Sequence, residues 1–342
     1  MQEKNKVTID EVARLAKVAK STVSRVLNGG SASKKARLRV EEVVRQLGFS
    51  PSAVARNLSM GRTGVVGFVI KNLQEEWLYE LLQGMEEQSS PTHTALMLGS
   101  LSPAGVFVYD DSLVQRWIAE RRADGLIFAK AGKRELPLIR KAQAAGMPVA
   151  LVGPDVDAPG CLVLRGRNED AGRELARHLS GLGHRRIDFL GGPNESRDTL
   201  ERLQGLKEGL RESGGTVLSV GFASYAMDDG ERFAREWMSR PSSKRGSAVV
   251  AANDAMAIGL IHGLQEQGLR IPKDLSVTGF DDLPASRMLR PGLTTMRQQL
   301  RRMGSAAMAG IIQGLGQPKA WTGGRLDFSM DLMVRQSTGK PL

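Results

Sequence analysis

From Val65 onward the chain repeats one pattern: a short apolar run, a turn, then an amphipathic helical stretch. The runs are "GVVGFVI", "TALMLGS", "DGLIFAKA", "PVALVG", "RIDFLGG", "SAVVAAND" and "DLSVTGFDD". Between them lie helical patterns such as "LYELLQGMEEQ", "LVQRWIAERR", "AGRELARHLSGLG" and "AMAIGLIHGLQEQG". Strands alternating with helices of this length predict β-α-β units, hence a parallel sheet with helices on both faces. A 342-residue chain exceeds the size at which one core keeps growing, and more than 250 residues follow Val65. That leaves room for two doubly wound sheets with a cleft between them. Ligands of such sheets bind beyond the carboxyl ends of the strands. Several strands here end in glycine or polar residues, as in "GGPNES", "AANDA" and "GFDDLP".

The front of the chain reads differently. Residues 1–49 predict three short helices. Thr8-Ile9-Asp10-Glu11 has the form of a capping box, followed by Val12, Leu15 and Ala16 on one face. After a break of about three residues, Ser21 to Leu27 form a second helix that buries Val23, Val26 and Leu27 and ends at Asn28-Gly29-Gly30. The third helix, "KKARLRVEEVVRQLG", places Val40, Val43, Val44 and Leu47 on one face and stops at Gly48. Two helices joined by a tight turn and braced by a third form a helix-turn-helix, whose second helix enters the DNA major groove. Ser50 and Pro51 then open a two-turn helix, "SPSAVARNL", too short to be stable without a partner, and "SMGRTG" reads as a linker.

Charge supports this division. Residues 1–64 hold 13 Lys and Arg against 5 Asp and Glu, and the rest of the chain 35 against 32. A compact basic module on a near-neutral body implies that the module alone meets a polyanion. A membrane surface would favour exposed Trp or Phe on an amphipathic helix, and this segment has one aromatic, Phe49. The N-terminus is polar, without an apolar stretch of signal-peptide length, and "GVVGFVI" is too short to span a bilayer. The single Cys161 can form no internal disulfide. The expectation is a cytoplasmic protein with no membrane partner.

Taken together, "VTIDEVARLA", "STVSRVLN", "LGFSPSAVARNL", "LGHRRIDFLGGP", "ERLQGL", "AANDAMAIGL", "IPKDLSVTGFDD" and "MVRQSTG" occur in an order that resembles the lactose/galactose repressor family of bacterial transcription regulators. The resemblance spans nearly the whole chain. It implies a helix-turn-helix headpiece (1–49), a hinge helix and linker (50–64), and two subdomains of periplasmic-binding-protein type. These would comprise residues 65–165 with 296–325, and 166–295 with 326–342. Lys20, Ser21 and Arg25 match base-reading positions of the family, and Arg can bridge O6 and N7 of guanine. Thr8, Ser24 and Asn28 match phosphate-facing positions. Ala55 and Leu58 match the minor-groove hinge, where an apolar wedge unstacks base pairs and bends DNA onto more protein; the lesser alternative for Leu58 is a plain hinge-core contact.

For the cleft, the resemblance implies effector contacts at Trp77, Leu78, Arg202, Tyr225, Asn253 and Asp281, with Ser196 and Asp198 on a loop that can reach the pocket. Such groups suit a polyhydroxylated or heterocyclic ligand: a sugar, a sugar phosphate or a nucleoside- or purine-like molecule. Trp77 and Tyr225 can also be ordinary packing aromatics, and Arg202 and Asp281 can be structural. The function implied is a homodimeric, effector-controlled repressor that binds a near-palindromic DNA operator, because a two-fold dimer reads two half-sites. The chain ends soon after "MVRQSTG", without the family's tetramer-forming heptads.

The chain departs from the family at several points. Ala19 stands where Ser usually caps the reading helix, and Lys17 where Gly is frequent. Gly166-Arg167 replaces a usual Asp-Asn, and Gly153 stands where an acidic pocket residue sometimes occurs. The stretch from Gln88 to Asp111 departs from the usual helix-then-strand pattern. An Arg167 near the cleft would tolerate an anionic ligand. No catalytic site, cofactor or metal is expected. There is no Gly-x-Ser-x-Gly elbow and no Gly-x4-Gly-Lys-Ser/Thr loop, and no Gly-x-Gly-x-x-Gly follows the first strand. The four histidines are scattered, with His184 in a structural turn. Two other readings stay open: a ligand-binding module without a DNA role, and a sugar-processing α/β enzyme.

Overall fold

The computed structural model describes residues 7–27, 30–49, 62–71, 73, 75–102 and 109–342. The chain divides into two units, Met1–Gly64 and Val65–Leu342. The expected hinge helix with Ala55 and Leu58, and the phosphate position Asn28, lie outside the described residues.

Among its described residues the first unit contains three helices, α1 (Ile9–Ala16), α2 (Lys20–Leu27) and α3 (Lys34–Leu47). Thr8 caps α1, its hydroxyl accepting from the Glu11 N–H at 3.3 Å, while the Glu11 carboxylate lies 3.9 Å from Arg14. Lys17 ends α1 in the left-handed conformation (φ 52°, ψ 48°), a place that costs a non-glycine residue about 1 kcal/mol. Helix α2 starts one residue earlier than the pattern suggested. The Ala19 carbonyl accepts from Thr22 and Val23, so Ala19 holds the cap position with a methyl group that cannot bond the backbone. Ser33 caps α3 at 3.2 Å and Gly48 closes it at φ 58°. The small core is Val12, Ala13, Ala16, Val23, Val26 and Val40. Leu15, expected inside, is 43% exposed; the buried face of α1 centres on 12, 13 and 16, and Leu15 falls on its flank.

The second unit is built on two six-stranded sheets. The first contains β1 (Val65–Ile70), β2 (Ala95–Ser100), β3 (Gly125–Ala129), β4 (Val149–Val152), β5 (Leu162–Gly166) and β11 (Gly324–Phe328), in the order β11-β5-β4-β3-β1-β2 and parallel throughout. The second contains β6 (Arg186–Gly191), β7 (Thr216–Phe222), β8 (Ala248–Ala251), β9 (Ser276–Asp281), β10 (Thr294–Arg297) and β12 (Asp331–Met333), ordered β12-β10-β9-β8-β6-β7, with only β12 antiparallel. Strand β2, inside the atypical stretch, pairs in regular register with β1.

Three helix pairs cover the sheets: α4 (Leu78–Ser89) with α12 (Leu300–Gly316), α7 (Asn168–Gly181) with α8 (Arg197–Glu212), and α9 (Met227–Ser239) with α10 (Asp254–Glu266). Each pair meets at facing glycines, Gly84 with Gly304, Gly172 with Gly205 and Gly230 with Gly259, where any β-carbon would strike the opposite backbone. Helices α5 (Ser112–Ala119) and α6 (Leu136–Ala144) pack on the first sheet, and the short α11 (Pro284–Met288) follows β9.

The chain crosses between sheets after β5, β10 and β11. These crossings fall up to three residues later than the boundaries at 165, 295 and 325, because pairing holds Gly166 and Phe328 in the first sheet and Arg297 beside Asp281 in the second. The terminal "QSTG" is an anchor: Ser337 is fully buried, donates to the Val277 carbonyl at 2.6 Å and accepts from Thr294 N–H at 2.8 Å. His184 is structural, as its turn suggested, bonding Ser247 at 2.8 Å and the Gly339 carbonyl at 2.8 Å.

Candidate functional sites: a basic helix and a cluster between two sheets

Helix α2 turns Val23 and Val26 inward and leaves Lys20, Ser21 and Arg25 exposed. The buried face uses the i, i+3 spacing, so the base-reading candidates necessarily share the opposite surface. Arg25 Nε donates to the Ser21 carbonyl at 3.3 Å, which lays the guanidinium along the helix surface. Lys20 Nζ lies 2.9 Å from Asp10 of α1, both side chains well exposed, an ion pair that water and salt weaken readily. Thr8 is exposed at the start of α1, and Ser24 is half-buried beside Arg25.

In the second unit, the carboxyl ends of both sheets converge on one cluster. Lys130 follows β3 and its ammonium is ion-paired to Asp198 in the first turn of α8, so a first-sheet residue grips a second-sheet helix. Asn168, at the start of α7, donates to Asp198 Oδ1 at 2.9 Å and accepts from Arg202 Nε at 2.9 Å. Arg202 also donates to the Ala252 carbonyl, approaches Asp198 at 3.8 Å and stacks over the Phe280 ring at 4.4 Å. Trp77 lies under Lys130, 5.7 Å from its ammonium to the ring centroid, and donates to Glu75. Leu78 is 5% exposed and belongs to the apolar core against Phe68 and Ile70; with Trp77, Glu75 and Lys130 it lines a narrow recess.

On the second-sheet side, the Tyr225 hydroxyl shares hydrogen bonds with Ser196 at 3.0 Å and Thr199 at 2.6 Å, and its ring covers Gly192, where no β-carbon would fit. Asn253 caps α10 through Met256 N–H at 3.0 Å. Asp281 accepts from Gln298 Nε2 at 2.5 Å. Lys130 (φ 53°), Tyr225 (φ 75°), Asp281 (φ 117°) and Asp282 (φ 59°) all sit in the left-handed region, at strand ends around this cluster. Backbone strain of this kind is retained where side chains must be aimed, and it gathers at functional sites. Asp282 is clamped by three arginines, with Arg297 Nε at 2.7 Å, Arg287 at 3.4 Å and Arg335 in contact.

Burial raises the cost of every charge here, and neighbours decide which stay ionised. For Asp198, burial pushes the carboxyl up, but Lys130 and Arg202 outweigh it and hold it down at about 2. For Lys130, burial works against the charge and Asp198 restores it, leaving the ammonium more firmly protonated than usual. Burial raises Glu75, Asp155, Asp254 and Asp281, and the Asp281 charge adds to the rise at Asp254. Asp254 accepts from Ser286 Oγ at 2.6 Å, Thr295 Oγ1 at 2.5 Å and Leu283 N–H at 2.9 Å. The fold thus brings Asp254 and Asp281 together, a carboxyl pair that the adjacent doublets in the sequence do not reveal.

Sequence reasoning therefore located Trp77, Ser196, Asp198, Arg202, Tyr225 and Asp281 in one cluster. It missed Lys130, Asn168, Arg165 and Gln298, at strand ends or crossings, and Glu201 inside α8. The available signal was a single Lys ending the wholly apolar run "GLIFA". Arg167, expected near the cleft as a cation, is exposed and its N–H bonds the Phe328 carbonyl at 2.8 Å; the buried cations are Lys130's neighbours Arg165 and Arg202.

Both units resemble known proteins. The family model for bacterial regulatory proteins of the lacI family matches residues 8–52, and that for a periplasmic binding protein-like domain matches residues 176–338. Catabolite control protein A of Priestia megaterium is 30% identical over 307 residues, covering 88% of this chain and 90% of that protein. The HTH-type transcriptional repressor PurR of Haemophilus influenzae is 28% identical over 339 residues, covering 96% and 98%. The crystal structure of the lac repressor dimer bound to operator and the anti-inducer ONPF has a TM-score of 0.81 at 25% identity, covering 97% of this chain and 99% of that one. The chain belongs to the lacI family of bacterial regulatory proteins: it is a transcriptional regulator that joins a helix-turn-helix unit to a periplasmic-binding-protein-like domain.

Proposed function

We propose that the protein is a homodimeric repressor that docks helix α2 of each subunit in one half of a near-palindromic operator and is controlled by a small molecule held between its two sheets. The observation that carries this reading is the exposed triad Lys20, Ser21 and Arg25 on a helix whose other face is buried, in a unit with most of the chain's excess positive charge. Arg25 and Lys20 would read base edges with Ser21, while Thr8, Ser24 and Asn28 would fix register on phosphates. Ala55 and Leu58 would enter the minor groove as a hinge that orders on DNA.

The effector would lie among Trp77, Ser196, Asp198, Arg202, Tyr225 and Asp281, with Leu78 and Asn253 supporting rather than touching it, since one is core and the other a cap. Ligand affinity that differs between two arrangements of the sheets would couple to DNA through the populations of those arrangements. Exposed apolar residues on the outer strands β2 and β7 and at the start of α9, namely Leu98, Val220, Phe222 and Met227, support a subunit interface along that edge. Action on chromosomal DNA in the cytoplasm and the absence of turnover belong to the same reading; among the described residues no helix is long and apolar enough to cross a membrane.

The test is DNA retardation by the full chain and by residues 65–342. The full chain is expected to retard a duplex with affinity falling steeply with salt, as counterion release requires, and the shorter chain to leave it unshifted. A shorter chain that still binds DNA, or turnover of a cleft ligand, contradicts the reading.

A further inference from the structure

In the second-unit cluster, two cationic side chains flank one carboxylate, and a third acts on it from farther away. Lys130 is ion-paired to Asp198, Arg202 approaches it at 3.8 Å, and Arg165 lies within Coulombic reach. Arg165 is 6% exposed; it contacts Glu201 at 2.6 Å, but its Nε has no hydrogen-bond partner. A buried guanidinium N–H without an acceptor is costly, and it marks a place where an incoming oxygen would be bound.

Lys130 is built into position. Its own left-handed backbone turns it off the end of β3, and Gly153 (φ 56°) clears the space beside it. A β-carbon on residue 153 would come within 3.0 Å of the ammonium and 3.3 Å of Cδ and Cε. Any β-carbon at position 153 would crowd the end of the Lys130 side chain, and glycine leaves it room. The other acidic groups facing Lys130 are engaged: Glu75 by Trp77 Nε1, Asp155 by the Arg197 N–H at 2.9 Å and Asp281 by Gln298 Nε2 at 2.5 Å.

If Lys130 leaves Asp198, the carboxylate keeps Asn168 and Arg202. The ammonium, however, needs a new negative partner, because breaking one side of a part-buried pair leaves an uncompensated charge. We propose that Lys130 sets the effector class: the ligand is a small organic anion, a phosphate monoester or a carboxylate, whose charged oxygens take over Lys130 and satisfy Arg165 Nε. This rests on the reading that the effector binds in this cleft.

Matched probes test it on the full chain by thermal shift and then calorimetry: glucose, glucuronate and glucose 6-phosphate; ribose and ribose 5-phosphate; glycerol and glycerol 3-phosphate. At least one anion is expected to bind at millimolar concentration or below, roughly tenfold or more tighter than its neutral counterpart, as loss of an ion pair of about 1.4 kcal/mol implies. The phosphate and carboxylate arms identify which anion it is. Lys130→Met is expected to abolish the preference for the anion, and Lys130→Arg to retain it; a merely structural lysine would not make the anion-to-neutral ratio collapse. The proposal is overturned if neutral probes bind as well as anions, if Lys130→Met keeps the preference, or if no anion in the panel binds. Operator retardation measured on the same samples separates the failures: lost DNA binding in the unsubstituted chain contradicts the regulator itself, whereas intact DNA binding without an anion response contradicts only this assignment.

Discussion

Asn253 Nδ2 donates to the Tyr225 carbonyl at 3.0 Å while Asn253 Oδ1 accepts from Met256 N–H at 3.0 Å, so one amide both starts α10 and pins the residue whose ring covers Gly192. Tyr225 is left-handed at φ 75°, a conformation that needs such a tie. Asn253→Ala is expected to destabilise the protein by about 2 kcal/mol, near 1 from the cap and near 1 from the lost Tyr225 bond. Asn253→Ser, which restores only the cap, should recover about half. Denaturant unfolding followed by tryptophan fluorescence checks both; equal losses for Ala and Ser would show that the Tyr225 tie dominates.

The front unit carries two local defects at its turn. Ala19 leaves the start of α2 without a side-chain cap, and Lys17 occupies a left-handed position. Ala19→Ser and Lys17→Gly should each stabilise residues 1–64 by about 1 kcal/mol. Thermal melts of that segment by circular dichroism measure this, and an unchanged midpoint for Ala19→Ser would mean that Ser cannot reach the N–H groups at that end.

Arg25→Ala tests how the reading face works. It should cost roughly 1–3 kcal/mol on the best operator and little on random duplex. An equal loss on both, measured by fluorescence anisotropy at fixed salt, would assign Arg25 to phosphate.

How much of this was legible in the sequence follows physical lines. Periodicity exposed the sheets and the helices because burial imposes it: Val23 and Val26 had to face inward, and "VALV" had to be a central strand. The Gly48 cap was readable because a left-handed C-terminus favours glycine. Lys130 was not, because its partner Asp198 is 68 residues away and only the crossing topology brings β3 and α8 together. Asp254 was hidden for the same reason: its partners Ser286 and Thr295 lie on other elements. Leu15 was misplaced because two side chains can fit the i, i+3, i+4 pattern and only packing against α3 selects the face.

The pH dependence has a defined sign. Asp198 titrates at about 2 in the folded protein against 3.8 ordinarily, so the folded state binds fewer protons than the unfolded chain between those values. Its contribution, about 2 kcal/mol, is therefore present above roughly pH 4 and lost as pH falls through 2. The stability difference between the unsubstituted protein and Asp198→Asn should shrink below pH 4. A difference that stays constant from pH 6 to pH 2.5 would show that the Lys130 pair contributes nothing to stability.

The central claim is that α2 enters duplex DNA as half of a symmetric pair. Selection of bound sequences by the full chain from a random duplex library, in dilute buffer and with the anionic probes present, measures it directly. The account predicts an enriched inverted repeat that Arg25→Ala relaxes at one position in each half-site. Enrichment of no sequence, or of a single unrepeated site, contradicts it.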